Sequence, residues 1–388
     1  MLSFFDLTIL WQLWVCVLLS ILMSIWPGLS RSRWLWVIGV VAVILSFRQT
    51  APGYLFCNLL VYGCARGFLI ADVNHSQRRW RLACVAMVIL LAAFLAGRHY
   101  QLEKQTVSLL GVQLGWFSLN MWSFLRLLTL LWESGSGRIR QLSFPSYLVW
   151  CCLPFTLNGP LLRYSQFEQQ LIAQSTQPQQ TSGLNLSAAW WRNLFLAAGH
   201  FLSGILLSGL QAYLGTVRAG SSWWGKLSLW FFIAPWAFYL VTGGYFRLME
   251  CLAVCWGFNL PASFNWPFGR RNISDFWANW NMTATNVFRD YFFYNRWGMK
   301  KINVYLNTMI LFVLVGLWHG SNGYWITWGA MHGIGFCVFL WHKQWRRKFD
   351  ASTDNQQATV GKWLAAAATY VFVCSCWVLP PQILKFIK

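Results

Sequence analysis

Charge is what this 388-residue chain has least of: 10% of its residues are charged and only 10 are acidic, against a hydrophobic share of 57%. A water-soluble domain carries roughly 25% charged residues to coat its surface, so this composition excludes a soluble enzyme and a disordered chain. Also missing are an internal repeat and any polar stretch long enough to form a separate soluble domain. The 11 cysteines sit nearly all inside apolar runs, and no second CxxC or His pair completes a metal site among them. Neither a disulfide-stapled secreted domain nor a zinc centre is expected, and the thiols read as small buried hydrophobes. A cleavable leader is not expected either, because Met1 to Phe5 carries no positive charge and the run from Leu7 to Trp26 lacks a small-residue cleavage site.

What the chain does have is apolar runs of helical character, near 7–27, 34–47, 54–71, 82–97, 107–132, 146–162, 189–214, 223–246, 303–319, 324–341 and 363–379. At roughly 20 apolar residues per span, the length predicts an all-α polytopic membrane protein of about ten or eleven transmembrane helices, some short enough to be tilted or re-entrant. The 28 tryptophans suit membrane interfaces. A net charge of +20 would suggest nucleic acid in a soluble protein. Here a cytoplasmic-side excess of Lys and Arg explains it, and no nucleic-acid partner is expected. The first, third and fifth loops hold Arg31, Arg33, Arg78, Arg79, Arg81, Arg138 and Arg140, while the second and fourth hold Arg48, Arg98 and Lys104. Seven against three places the N-terminus of this multi-pass membrane protein outside.

The stretch 247–302 is too polar to span and too aromatic for a plain loop, which suits helices lying in or dipping into the interface. Within it, NISDFWANWNMTATNVFRDYFF at 272–293 sets Asp275, Asn281, Arg289 and Asp290 among Trp277, Trp280 and other rings. These charges have a bland reading as well, since Asp275 with Arg289, or Asp290 with Arg289, can simply neutralise each other. Arg296, Lys300 and Lys301 continue the basic character and offer a surface to an acidic cytoplasmic partner or to lipid headgroups. Polar residues inside apolar runs are functional candidates by default. Two histidines qualify, His319 in LFVLVGLWHGSNGYW and His332 in WGAMHGIGFC, although each could merely bond a neighbouring helix. His319 follows Trp318, which can wall off lipid, and precedes Gly320, which removes bulk beside the imidazole, an arrangement suited to a general base.

The run NLPASFNWPFGRRNISDFWANWNMTATNVFRDYFF, followed by LWHG and MHG, and preceded at 153–167 by LPFTLNGPLLRYSQF, resembles the membrane-bound O-acyltransferase (MBOAT) family. The ordered set reaches from about residue 150 to 340, and the first 150 residues match only in hydropathy. The segment after FRDY favours the DltB-like D-alanyl transferase branch. The resemblance implies one integral membrane domain over 1–388: N-terminal helices at 1–145, a funnel-shaped catalytic core at 146–342, and a cytoplasmic-type loop with a C-terminal helix at 343–388. It implies transfer of a D-alanyl or acetyl group from a thioester to a hydroxyl of an envelope polymer or lipid. His319 would be the base, and Asp275, Trp277, Trp280, Arg289, Asp290, Trp318 and His332 would line the substrate path. The donor would be a phosphopantetheine thioester on an acidic acyl carrier protein docking at Arg296, Lys300 and Lys301, or an acyl-CoA. No metal or bound cofactor is called for, and an extracytoplasmic accessory acyltransferase is a further partner. One departure stands out: bacterial members read FWxRWHxS, and Asn281 occupies the second histidine's place. An amide can polarise a thioester oxygen but cannot titrate. A catalytically impaired scaffold or conduit is therefore the alternative. A transporter is disfavoured, because no inverted repeat or paired broken helices appear.

Overall fold

The computed structural model describes residues 15–22, 31–71, 76–109, 112–176, 187–217, 229–293, 303–349 and 359–387. The architecture is helical throughout apart from one short hairpin. Five stretches are long and apolar enough to cross a bilayer: Arg33–Ile70, Ser76–His99, Ala188–Leu214, Phe231–Cys255 and Val360–Val378, with Val304–His319 a shorter apolar helix. The chain is thus a multi-pass membrane protein. Its spans turn large apolar side chains outward, as Phe195, Leu202 and Leu206 do on Ala188–Leu214, which only lipid can cover. Fewer stretches than the expected ten or eleven meet that length among the described residues: the runs at 34–47 and 54–71 fall in one stretch, that at 7–27 lies mostly outside the described residues, and those at 107–132 and 146–162 are broken.

Two of those breaks correct the helical reading. The run at 107–132 begins as an antiparallel hairpin, Thr106–Leu109 with Val112–Gly115, Thr106 lying opposite Gly115. TVSL alternates polar and apolar residues with the period of a strand, and helix resumes only at Met121–Ser136. The run at 146–162 divides into Phe144–Cys152 and Pro154–Asn158. Pro154 has no N–H to continue the ladder and forces Leu153 to an extended ψ of 141°.

The chain divides into two compact units. The first comprises residues 1–197 and 246–261, and its core is the helix Met121–Ser136, buried along most of its length. The Asn120 side chain caps it by accepting from Ser123 N at 2.7 Å. Gly137, at φ 75°, ends it in the left-handed conformation that favours glycine. Two ionisable residues lie on this helix, both fully buried. Arg126 donates to Tyr54 Oη at 2.8 Å, Asn58 Oδ1 at 2.7 Å, Cys151 O at 3.1 Å and Thr156 O at 3.0 Å, under the ring of Trp150. Glu133 accepts from Ser165 Oγ at 2.7 Å and Ser165 N at 3.2 Å. These bonds seat the LPFTLNGPLLRYSQF segment, whose Leu161, Leu162, Tyr164 and Phe167 are all buried.

The second unit comprises residues 198–245 and 262–388. Its centre is a pair of helices, Val304–His319 and Gly323–Phe349, joined by a short turn. Glycines let their backbones touch. A Cβ at Gly316 would overlap the carbonyl oxygen of Trp325, one at Gly329 would overlap that of Phe312, and one at Gly333 would lie 2.8 Å from Met309 Sδ. Close approach through small residues is how helices associate where no water drives them together. Of the stretch 247–302, expected to be too polar to span, residues 247–255 instead complete the helix Ala234–Cys255, part of a span, while 273–293 folds as two short helices, Ile273–Trp277 and Met282–Val287, running into a π-helical turn at Phe288–Phe293.

Candidate active site

The turn between the paired helices presents His319. It is the last residue of its helix, partly accessible, and flanked on three sides by indoles. Its ring stacks on Trp325 at 4.8 Å and 19°, meets Trp328 edge-on at 5.2 Å, and lies 4.7 Å from Trp318. Gly320 makes the stack possible: a Cβ there would overlap the Trp325 indole. The bulk that Gly320 removes beside the imidazole thus makes room for a tryptophan from the next helix. Buried Trp318 braces the site against Phe288 at 5.6 Å.

His332 lies one layer deeper, 1% exposed. It is enclosed by Trp328 at 4.5 Å, Trp277 at 5.2 Å, Phe312 at 6.2 Å and Phe372 at 6.0 Å. Neither of its ring nitrogens has a hydrogen-bond partner among the described residues, nor does Nε1 of Trp277 or of Trp328. The ring contacts therefore gather four of the expected site residues, Trp277, Trp318, His319 and His332, into one aromatic group.

Asn281 follows four residues after Trp277. Its backbone is left-handed (φ 42°, ψ 52°), and its side-chain Oδ1 is buried without a partner among the described residues. Trp280 packs with Phe264 at 5.2 Å, Phe276 at 5.4 Å and Phe238 at 6.0 Å, and Phe276 in turn meets Trp277 edge-on at 5.6 Å, so one ring links Trp280 to the His319 group. The remaining expected residues are not drawn into the His319 group by any contact described. Asp275 is exposed and serves its own helix end, where the Asn272 side chain accepts from its N at 2.8 Å and donates to its Oδ2 at 2.7 Å. Arg289 pairs with its neighbour Asp290 at 3.0 Å on the surface. Arg296, Lys300 and Lys301 lie outside the described residues.

Two site residues escaped the reading of the sequence, Trp325 and Trp328. A usable pattern was present: Trp325, Trp328 and His332 stand at i, i+3 and i+7 on one helix, the spacing of a single face. Chemically, the group can accept a proton at His319 in a partly accessible position, with flat apolar walls to exclude water.

A multi-spanning helical membrane protein with a histidine set among indoles at a helix end is the class of protein defined so far. The family is equally clear: the model of MBOAT, the membrane-bound O-acyltransferase family, matches residues 2–380, and the chain belongs to that family. It is similar to a peptidoglycan O-acetyltransferase of Helicobacter pylori, 27% identical over 58% of this chain and 41% of the relative. It is also similar to a protein of Pseudomonas putida named a probable alginate O-acetylase, 30% identical over 41% of this chain and 30% of the relative. A third relative is a teichoic acid D-alanyltransferase of Bacillus subtilis, 31% identical over 34% of this chain and 35% of the relative. The chain thus spans less than half the length of each of these relatives.

Proposed function

We propose that the protein is a membrane-bound O-acyltransferase that moves a small acyl group from a thioester to a hydroxyl of a cell-envelope polymer or lipid. The observation that carries this reading is the placement of His319, partly accessible at a helix end and held in orientation by stacked and edge-on indoles. The family and the names of the relatives support it. In the step, His319 takes the proton of the acceptor hydroxyl as that oxygen attacks the thioester carbonyl carbon. The new C–O bond forms, the C–S bond breaks, and the leaving thiolate recovers the proton from the imidazole. The Asn281 amide steadies the negative charge that develops on the carbonyl oxygen. Indole walls exclude water, which would otherwise hydrolyse the donor.

The donor is carried by phosphopantetheine, on an acidic acyl carrier protein or as an acyl-CoA, and reaches the site from the cytoplasmic side of a bacterial inner membrane. Arg296, Lys300 and Lys301 steer an acidic carrier. An extracytoplasmic accessory acyltransferase takes the acyl group onward where the acceptor is remote. Purified protein given an acyl-pantetheine thioester and an envelope-polymer acceptor releases free thiol on this reading, and His319→Ala lowers that release by about 10²–10⁴-fold while its thermal unfolding stays near that of the parent. Undiminished thiol release by the variant would remove His319 from the reaction.

A further inference from the structure

Beside His319, and sharing Trp328 with it, lies a box of three rings whose polar atoms have no partner among the described residues. Trp277, Trp328 and His332 are in mutual contact, with ring centroids 4.5–6.0 Å apart. They are 8%, 2% and 1% exposed, and Nε1 of both indoles and both imidazole nitrogens are unsatisfied among the described residues. Buried polar groups are normally paired, so four orphaned atoms in one box point to something it binds. An indole is a donor only, and an imidazole offers one donor and one acceptor when neutral, or two donors when charged. The box therefore presents at least three N–H donors and at most one acceptor, in either protonation state.

Its surroundings hold no compensating negative charge. Among its described residues the second unit contains two carboxylates, Asp275 and Asp290. The first is exposed and bound to Asn272, and the second is paired with Arg289. A carbonyl oxygen, which accepts from N–H donors, meets such a box favourably. An ammonium brings only donors to face donors, and enters without a counter-ion. Attraction to the indole faces offsets part of that loss, but only for a cation seated over a ring face and not at the N–H edges.

We propose that the Trp277–Trp328–His332 box receives the acyl end of the donor and admits an uncharged acyl group of the acetyl or propionyl kind, while rejecting an aminoacyl group. This rests on the acyl-transfer reading above and chooses between the two donor chemistries of the relatives. Propionyl and D-alanyl thioesters are the informative pair, because the second differs from the first by an ammonium in place of one hydrogen.

Binding of propionyl- and D-alanyl-pantetheine to the full-length His319→Ala protein, followed by indole fluorescence, reads selection without turnover. If that variant does not fold, the thioether analogues serve with the parent protein. The expected result is D-alanyl binding at least about tenfold weaker than propionyl. The gap should narrow in Trp328→Phe and Trp277→Phe, which keep a ring and lose a donor. D-alanyl binding as tight as propionyl, a gap that both Phe variants leave unchanged, or binding of neither thioester would overturn the inference. Thiol release by the parent protein is a separate readout: selective binding without any release would defeat the acyl-transfer reading and leave the selectivity of the box standing.

Discussion

At Asn281 the backbone limits what the chain can place there. Its φ of 42° lies in the left-handed region, which few side chains other than Asn, Asp and His enter readily. The Asn at this position and the His of the FWxRWHxS pattern are thus two residues that the same backbone accepts, which gives a structural reason for the exchange. The same fact separates side-chain chemistry from strain. Asn281→Gly keeps the backbone and removes the amide, and it should lower turnover by about 10²-fold if the amide stabilises the oxyanion, with little change in thermal unfolding. Asn281→Ala should lose that activity and about 1 kcal/mol of stability besides. Wild-type thiol release from the Gly variant would assign Asn281 a conformational role only. Gly320 supports a second expectation at this scale. A methyl group there displaces Trp325 from its stack on His319. Misplacing a catalytic group by about 1 Å costs on the order of 10² in rate. Gly320→Ala should therefore show that loss in kcat with donor KM nearly unchanged, and an unaltered kcat would mean that the stack does not orient the imidazole.

Among the elements, the buried helix Met121–Ser136 depends most on a single side chain. Arg126 fills four acceptors on Tyr54, Asn58, Cys151 and Thr156, so it ties three stretches of chain together. Removing it leaves the Thr156 carbonyl and Tyr54 Oη without the guanidinium donors, at about 1–3 kcal/mol for each that stays buried and unpaired, while Cys151 O and Asn58 Oδ1 keep contacts to Tyr54 and Tyr147. Arg126→Ala should lower the detergent unfolding temperature by well over ten degrees. Arg126→Lys should rescue little, since a lysine lacks the fork that reaches several acceptors at once. Full rescue by Lys, read in the same melt, would contradict the account. The elements also differ in how far the sequence revealed them. Hydropathy exposed the Val304–His319 and Gly323–Phe349 pair, and the family resemblance singled out His319 as the base and His332 as a residue of the substrate path. It did not reveal the hairpin at 106–115 within an apolar run, because apolar residues suit strand and helix alike over so few positions. Nor did it bring out Arg126, a lone charge in LRLL whose acceptors are distant in sequence and meet it only through tertiary packing. Trp325 and Trp328 were passed over for a related reason: in a chain with 28 tryptophans composition alone cannot mark two of them.

For the molecule as a whole, charge and lipid set the frame. Spans such as Ala188–Leu214 and Val360–Val378 bury only a minor share of their apolar stretch inside the protein, 17% and 22%, so most of their surface belongs to the bilayer. The asymmetry of seven Arg in alternate loops against three basic residues in the others predicts that Arg138 and Arg140, both surface residues of the first unit, face the cytoplasm. A single cysteine replacing Arg140, in a chain freed of its native cysteines, should react with an impermeant maleimide only in inside-out vesicles. Labelling in intact cells would reverse the topology, and with it the side from which the thioester donor arrives.

With His319 as the base, the protein moves an acyl group from a thioester to a hydroxyl, and isotope labelling follows that group from donor to acceptor. Reconstituted protein is supplied with a thioester whose acyl carbons are labelled and with an envelope polymer, and the mass of the polymer is read afterwards. The account predicts labelled ester on the polymer from the parent protein and none above background from His319→Gln, a variant that keeps bulk and polarity at the site. Labelled ester from both proteins alike would contradict it.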